Sequence, residues 1–183
     1  MRIALAFALA FLSVAAAAPQ KKPKAPPLDQ LFKSLAQAQS PEDAHPIEEQ
    51  IYGIFAQSGS PSVDLLMARG EAALAGGDNG TAKKLFDAIT GIAPNFAEAW
   101  HQKGLLQSDA GEDEAAMISL QRTVTLNPRH FAALSELGDM LEEYGNKQGA
   151  LQMYKRALTL DPQLEDAAKR VRALEKDVEG QGI

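Results

Sequence analysis

The chain contains no cysteine, which removes disulfides, thiolate metal sites and thiol nucleophiles together. Histidine is scarce as well: His45, His101 and His130 stand scattered, in no HExxH or other metal-ligand spacing. There is no GxGxxG motif and no phosphate loop. Ser58, Ser60 and Ser62 fall in QSGSPS, a linker composition without a GxSxG elbow. Bases are outnumbered by acids, 18 to 24, for a net charge of −6, so nucleic acid and anionic lipid make poor partners. With neither a nucleophile nor a metal set, no enzymatic activity, cofactor, metal or small-molecule substrate is expected.

At the start of the chain, Met1 and Arg2 form a short cationic segment and Ile3 to Val14 an apolar stretch broken only by Ser13. Ala15 to Ala18 follow as small residues suited to a signal peptidase. Residues 1–17 therefore read as a secretory signal peptide. Cutting after Ala18 would leave Pro19 first, which a peptidase is expected to reject, so the cut is placed after Ala16 or Ala17. The apolar run is shorter than the roughly 20 residues a membrane-spanning helix needs. An uncleaved anchor, with Lys21, Lys22 and Lys24 as its retention signal, is the alternative, and the membrane is a partner only in that case. Residues 18–27, APQKKPKAPP, read as an extended tether. Loss of Arg2 leaves 17 bases against 24 acids, a net charge of −7.

Beyond the tether the sequence repeats. Gly70, Gly104 and Gly138 are spaced by 34 residues, as are Gly77, Gly111 and Gly145, Ala82, Ala116 and Ala150, and Pro94, Pro128 and Pro162. The six glycines alone would fall in register by accident at on the order of 10⁻⁷. The first glycine and the alanine of each unit lack the bulk that would hold two helices apart. The second glycine suits a turn that needs positive φ, and the proline ends the second helix.

This skeleton resembles the tetratricopeptide repeat family, with units starting at Val63, Ala97 and Phe131. Trp100 fills position 4 of the second unit, with Leu66 and Leu134 in the others, and Phe86, Leu120 and Tyr154 occupy position 24. Position 7 departs from the pattern as Arg69 and Lys103 before becoming Leu137, and position 27 as Ile89 and Thr123 before Ala157. The stacked cations at position 7 are open to two readings, as a binding feature or as stems laid on apolar surface.

The resemblance implies an all-α, right-handed solenoid of three helix-turn-helix repeats, at 63–96, 97–130 and 131–164. Leu28, Leu31, Phe32 and Leu35, then Ala44, Ile47, Ile51 and Phe55, recur at helical spacing, and residues 28–62 read as a divergent N-terminal helical cap. Ser40-Pro41 is a good helix start, whereas Pro46 points to a kink or a later beginning. Residues 165–183 supply a C-terminal solvating helix and tail, with Ala167, Ala168, Val171, Leu174 and Val178 on its apolar face. The whole amounts to nine helices.

In the family the concave wall is built by the first helix of each repeat. Carried over residue by residue, it comprises Asp64, Met67, Glu71, Leu74 and Ala75, then Glu98, His101, Leu105, Ser108 and Asp109, then Ala132, Ser135, Asp139, Glu142 and Glu143. Seven of these are carboxylates and none is Lys or Arg. Members that clamp a peptide C-terminus use Lys, Arg and Asn on this wall, so its sign here implies a cationic or amphipathic protein segment instead. Acids that merely keep an exposed face soluble are the equal alternative. The resemblance implies a protein-binding adaptor, exported to the periplasm of a Gram-negative bacterium. A self-associating module, monomer or weak homo-oligomer, is the rival.

Overall fold

The computed structural model describes residues 27–180, and among these are nine helices and no strand. They are α1 (Leu28–Leu35), α2 (Pro41–Phe55), α3 (Pro61–Ala75), α4 (Asn79–Ile92), α5 (Ala97–Asp109), α6 (Asp113–Leu126), α7 (Phe131–Glu143), α8 (Lys147–Leu160) and α9 (Glu165–Gly180). The signal peptide and nearly all of the tether, residues 1–26, lie outside the described residues.

Local chemistry sets several of the helix ends. The side chains of Ser40, Asp78, His130 and Asn146 each accept the N–H three residues on, capping α2, α4, α7 and α8. Gly77, Gly111 and Gly145 turn the chain inside the three hairpins at φ +75°, +71° and +76°, a conformation that costs glycine little and other residues more. Pro46 does not delay α2, which starts at Pro41 and runs through it to Phe55. Both Pro46 and Glu42, whose carbonyl the missing N–H would have met, face solvent, and water can serve that carbonyl.

The hairpins α3–α4, α5–α6 and α7–α8 stack in order, α4 on α5 and α6 on α7, and α9 covers α8. The small residues explain how closely each pair meets. A Cβ on Gly138 would fall 2.7 Å from Cε1 of Tyr154, and one on Gly70 2.6 Å from the Phe86 ring. Ala82, Ala116 and Ala150 are fully buried. Lys103 spans two repeats, with its Nζ 2.7 Å from Asp87 and 5.3 Å above the Trp100 ring, so this position-7 cation ties α5 to α4. Ala167, Val171 and Leu174 of α9 pack with Ala150 and Tyr154 and close the stack.

The α1–α2 hairpin does not cap the first repeat. The core around Val63, Met67 and Phe86 contains no residue from it. Leu31, Phe32, Leu35, Ala44 and Ile51 are buried instead around Phe131, with Ala132, Leu160 and Leu164 at the edge. Arg129 lies 3.8 Å over the Phe32 ring and 2.6 Å from Asp29, and Gln163 donates to the Ala38 carbonyl at 2.7 Å. The hairpin thus folds back along the concave side of the solenoid. The physical reason is a better apolar match: Phe131 and the end of the third repeat offer the aromatic and leucine surface that its Leu and Phe stripe needs.

Candidate functional site: a concave wall half covered and half open

Helix α2 covers the part of the wall nearest the start of the first helices. Tyr52 packs on Phe131 and Phe55 on His130, each pair with ring centroids 5.1 Å apart. Beneath them Glu98, His101 and His130, scattered in the sequence, come together and are buried. His101 donates from Nδ1 to Glu98 at 3.2 Å and from Nε2 to Glu136 at 2.8 Å. His130 accepts the Ala133 N–H on Nδ1, which leaves the ring proton on Nε2 to donate to Glu98 at 3.0 Å. One imidazole is therefore charged and the other neutral.

The protonation energetics agree with this geometry. Burial opposes charge on His101, but hydrogen bonds and attraction from Glu136 and Glu98 raise its pKa to about 10. Burial lowers the pKa of His130, and the charge of His101 lowers it further against the pull of Glu98. Burial alone would raise the Glu98 carboxyl, yet the two imidazoles hold it well below the usual carboxylate range.

Donor atoms of Glu98, His101 and His130 lie within 4.8 Å of one another, close enough for a metal. Their protons argue otherwise. Ligation through His130 Nε2 would move its proton to Nδ1, against the Ala133 N–H, and His101 already uses both nitrogens as donors. The set is built as a charge network rather than a metal centre.

A second buried acid lies at the far end of the hairpin. Asp161 is fully buried; its Oδ1 accepts the Gln163 N–H at 3.0 Å, and its Oδ2 meets no donor. Glu48 of α2 faces it. Burial raises both carboxyls, and the charge of Asp161 raises Glu48 further while His45 opposes. With no donor from α2 other than a proton on Glu48, the pair is relieved only by taking one up.

The wall residues carried over from the sequence now divide. Met67 is 2% exposed and belongs to the core. Asp64 is spent on the α2–α3 connection, where it accepts from the Ser58 N–H at 2.8 Å and hydroxyl at 2.6 Å. Glu98 and His101 lie under the hairpin. Glu71, Leu74, Leu105, Asp109, Asp139, Glu142 and Glu143 remain on the open half, with the two leucines half-buried. Asp139 and Glu142 accept from the Tyr154 hydroxyl at 2.6 and 3.1 Å, and Arg170 reaches Glu142 at 3.5 Å. A hollow of ≈ 1000 Å³ opens among Asp139, Glu142, Glu143, Asp166, Lys169 and Arg170.

Stacked helical hairpins with a concave wall define an all-α repeat solenoid, a class that recognises other proteins. The tetratricopeptide repeat profile matches residues 97–130 and 131–164. A TPR repeat-containing protein of Rhizobium etli is 30% identical over 153 residues, spanning 84% of this chain and 75% of that protein. The chain belongs to the tetratricopeptide repeat family. Among solved structures, the first TPR of Spaghetti (RPAP3), bound to the HSP90 peptide SRMEEVD, is 17% identical at TM-score 0.59, covering 64% of this chain and 93% of that one. MamA is 20% identical at TM-score 0.59, covering 79% and 86%. These two likenesses concern the fold.

Proposed function

We propose that this protein is a non-enzymatic adaptor of the bacterial cell envelope that holds a cationic, amphipathic protein segment along the open half of its concave wall. The observation that carries this is the acidic wall: Glu71, Asp109, Asp139, Glu142 and Glu143 beside Leu74 and Leu105, with Lys169 and Arg170 of α9 the cations at its C-terminal end. Burial raises Glu71, helped by Glu98, and burial raises Asp139, where Glu136 and Glu142 add to it against Tyr154 and Arg170. Carboxyls raised in this way gain from an incoming cation. The Spaghetti domain holds a peptide rich in Glu and Asp; a wall of this sign suits the opposite charge. The leader read in residues 1–17 supports export to the periplasm, or membrane attachment if it is not cleaved.

The test is titration calorimetry with a synthetic Leu/Lys peptide at two salt concentrations. Binding should fall as the Debye length shrinks from about 10 Å at 0.1 M to about 3 Å at 1 M. Reversing Asp139, Glu142 and Glu143 to Lys should abolish it, whereas reversing Glu112 and Asp113 in an interhelical turn should matter little. Equal effects would reduce the acids to a general solubilising field.

A second copy of the chain is the rival partner, favoured by one observation. Ala133, Leu137 and Met140 of the third repeat are buried against the preceding repeat, but the equivalent Leu65 is 56% exposed and Arg69 and Ala72 are exposed too. A mass that rises with concentration, and that Leu65→Glu returns to the monomer, would favour self-association.

A further inference from the structure

Extending the cationic-segment reading from the open half of the wall to its covered half, we propose that the α1–α2 hairpin is a removable occupant of the groove, standing in the place of a basic amphipathic helix from a partner protein. Three features of the docking carry this.

The first is how the hairpin is held. Consecutive solenoid helices approach one another closely along their lengths, whereas the hairpin meets the solenoid chiefly through side chains. Its tether to α3, Ala56 to Ser60, is pinned at Ser58 by Asp64, so release turns about Ala56 and Gln57 on the near side of that pin.

The second is the floor beneath it. Tyr52 and Phe55 rest on His130, and below lie Glu98, His101 and Glu136. A floor of paired charges hydrates when uncovered, which offsets part of the cost of exposing Phe131 and the hairpin's own Leu and Phe stripe.

The third is a flaw in the fit. Asp161 Oδ2 is buried without a donor, and the in-chain helix presents it with another carboxyl, Glu48. A Lys or Arg at that place would give Asp161 a charge-assisted partner. The hairpin is thus a deliberately poorer ligand than a basic helix of the same shape, which would keep Tyr52-like and Phe55-like anchors one turn apart and replace the acid at Glu48 with a cation.

The probe is a labelled peptide of residues 41–55 carrying Glu48→Lys, titrated against the full chain. It should bind about tenfold or more tightly than the unsubstituted peptide, the equivalent of one charged hydrogen bond. A full chain carrying Glu48→Lys has its own occupant repaired, so it should bind the peptide about tenfold more weakly than wild type. Asp161→Asn should remove the preference for Lys. A peptide that fails to bind, or binds wild-type and Glu48→Lys chains alike, overturns the proposal. Hydrogen exchange gives a readout free of peptide folding: amides of residues 47–55 should exchange about tenfold more slowly in the Glu48→Lys chain, and unchanged exchange counts against it. The chain with Glu142 and Glu143 alone reversed separates the two readings, because Asp139 shares a hollow with Pro41, His45 and Glu48 of the hairpin and those two glutamates do not. That reversal should leave hairpin exchange intact while weakening Leu/Lys peptide binding, so either reading can fail alone.

Discussion

His130 lies against His101 with ring centroids 4.2 Å apart, one ring neutral and the other charged, because Ala133 fixes the tautomer of the first while Glu98 and Glu136 claim both protons of the second. Two imidazoles at this distance could not both be charged without repulsion. The arrangement makes the centre of the concave wall a source of pH dependence.

His101 has its pKa raised from 6.5 to about 10. A raised cationic group contributes stability that is complete below the lower value and lost as pH rises through the upper one. The thermal midpoint of the wild type should therefore fall between pH 6.5 and about 10 more steeply than that of His101→Gln, which has nothing to titrate there. Parallel curves would show that His101 is not charged in the folded state.

Helix contact at the repeat glycines should be graded by what each one faces. At Gly138 an added Cβ meets the buried Tyr154 ring at 2.7 Å, while at Gly104 it meets Leu120 Cγ at 3.1 Å. A rigid buried ring cannot yield as a leucine can. Gly138→Ala should cost roughly 1–3 kcal/mol by overpacking, and Gly104→Ala distinctly less, measured from urea midpoints at constant slope. Gly104→Leu, or Ala116→Leu on the facing helix, should restore the full penalty. Equal stability of the two alanine variants would mean that the rings and side chains rearrange freely.

These glycines were legible in the sequence because each has its own physical requirement, either close approach or positive φ, and both recur with the period. The place of the hairpin was not. The stripe of Leu31, Phe32, Leu35 and Ile51 shows that a face is buried but not against what, and proximity in sequence favoured the first repeat over Phe131. The histidine cluster was hidden because its members meet only after stacking. A signal existed: Glu98 lies 32 residues from His130, and His101 35 from Glu136. Both separations straddle the 34-residue period, which brings such pairs onto adjacent helices.

Tyr154 links the core to the wall, since its buried ring fills the space beside Gly138 and its hydroxyl donates to Asp139 and Glu142. Tyr154→Phe keeps the packing and removes only the donor. Stability should drop by about 1 kcal/mol, and the Asp139 carboxyl, already raised by burial, should rise further without the hydroxyl that opposes the shift. Carboxyl carbon chemical shifts followed through an acid titration measure this directly. A fall in the Asp139 pKa would show that the hydroxyl is not its donor.

The last prediction concerns the proton at the hairpin's end. Glu48 and Asp161 are both raised above their ordinary values of 4.5 and 3.8, so the stability they contribute is complete in acid and lost as pH rises through the raised values. Deprotonation sets two carboxylates against each other across the docking surface, with His45 the nearest opposing charge on Glu48 and the Gln163 N–H the support of Asp161. The hairpin should therefore be held more firmly on the acid side of the pair's raised titration than on its alkaline side, opposite to the trend of a protein losing its carboxylate pairs in acid. Hydrogen exchange of residues 47–55, corrected for the intrinsic pH dependence, measures this. Glu48→Gln supplies a permanent donor to Asp161 and should flatten the dependence, keeping the hairpin docked at the higher pH. If the glutamine chain instead follows the wild-type trend, the proton that governs docking lies elsewhere, with the His101 network as the remaining titratable contact beneath α2.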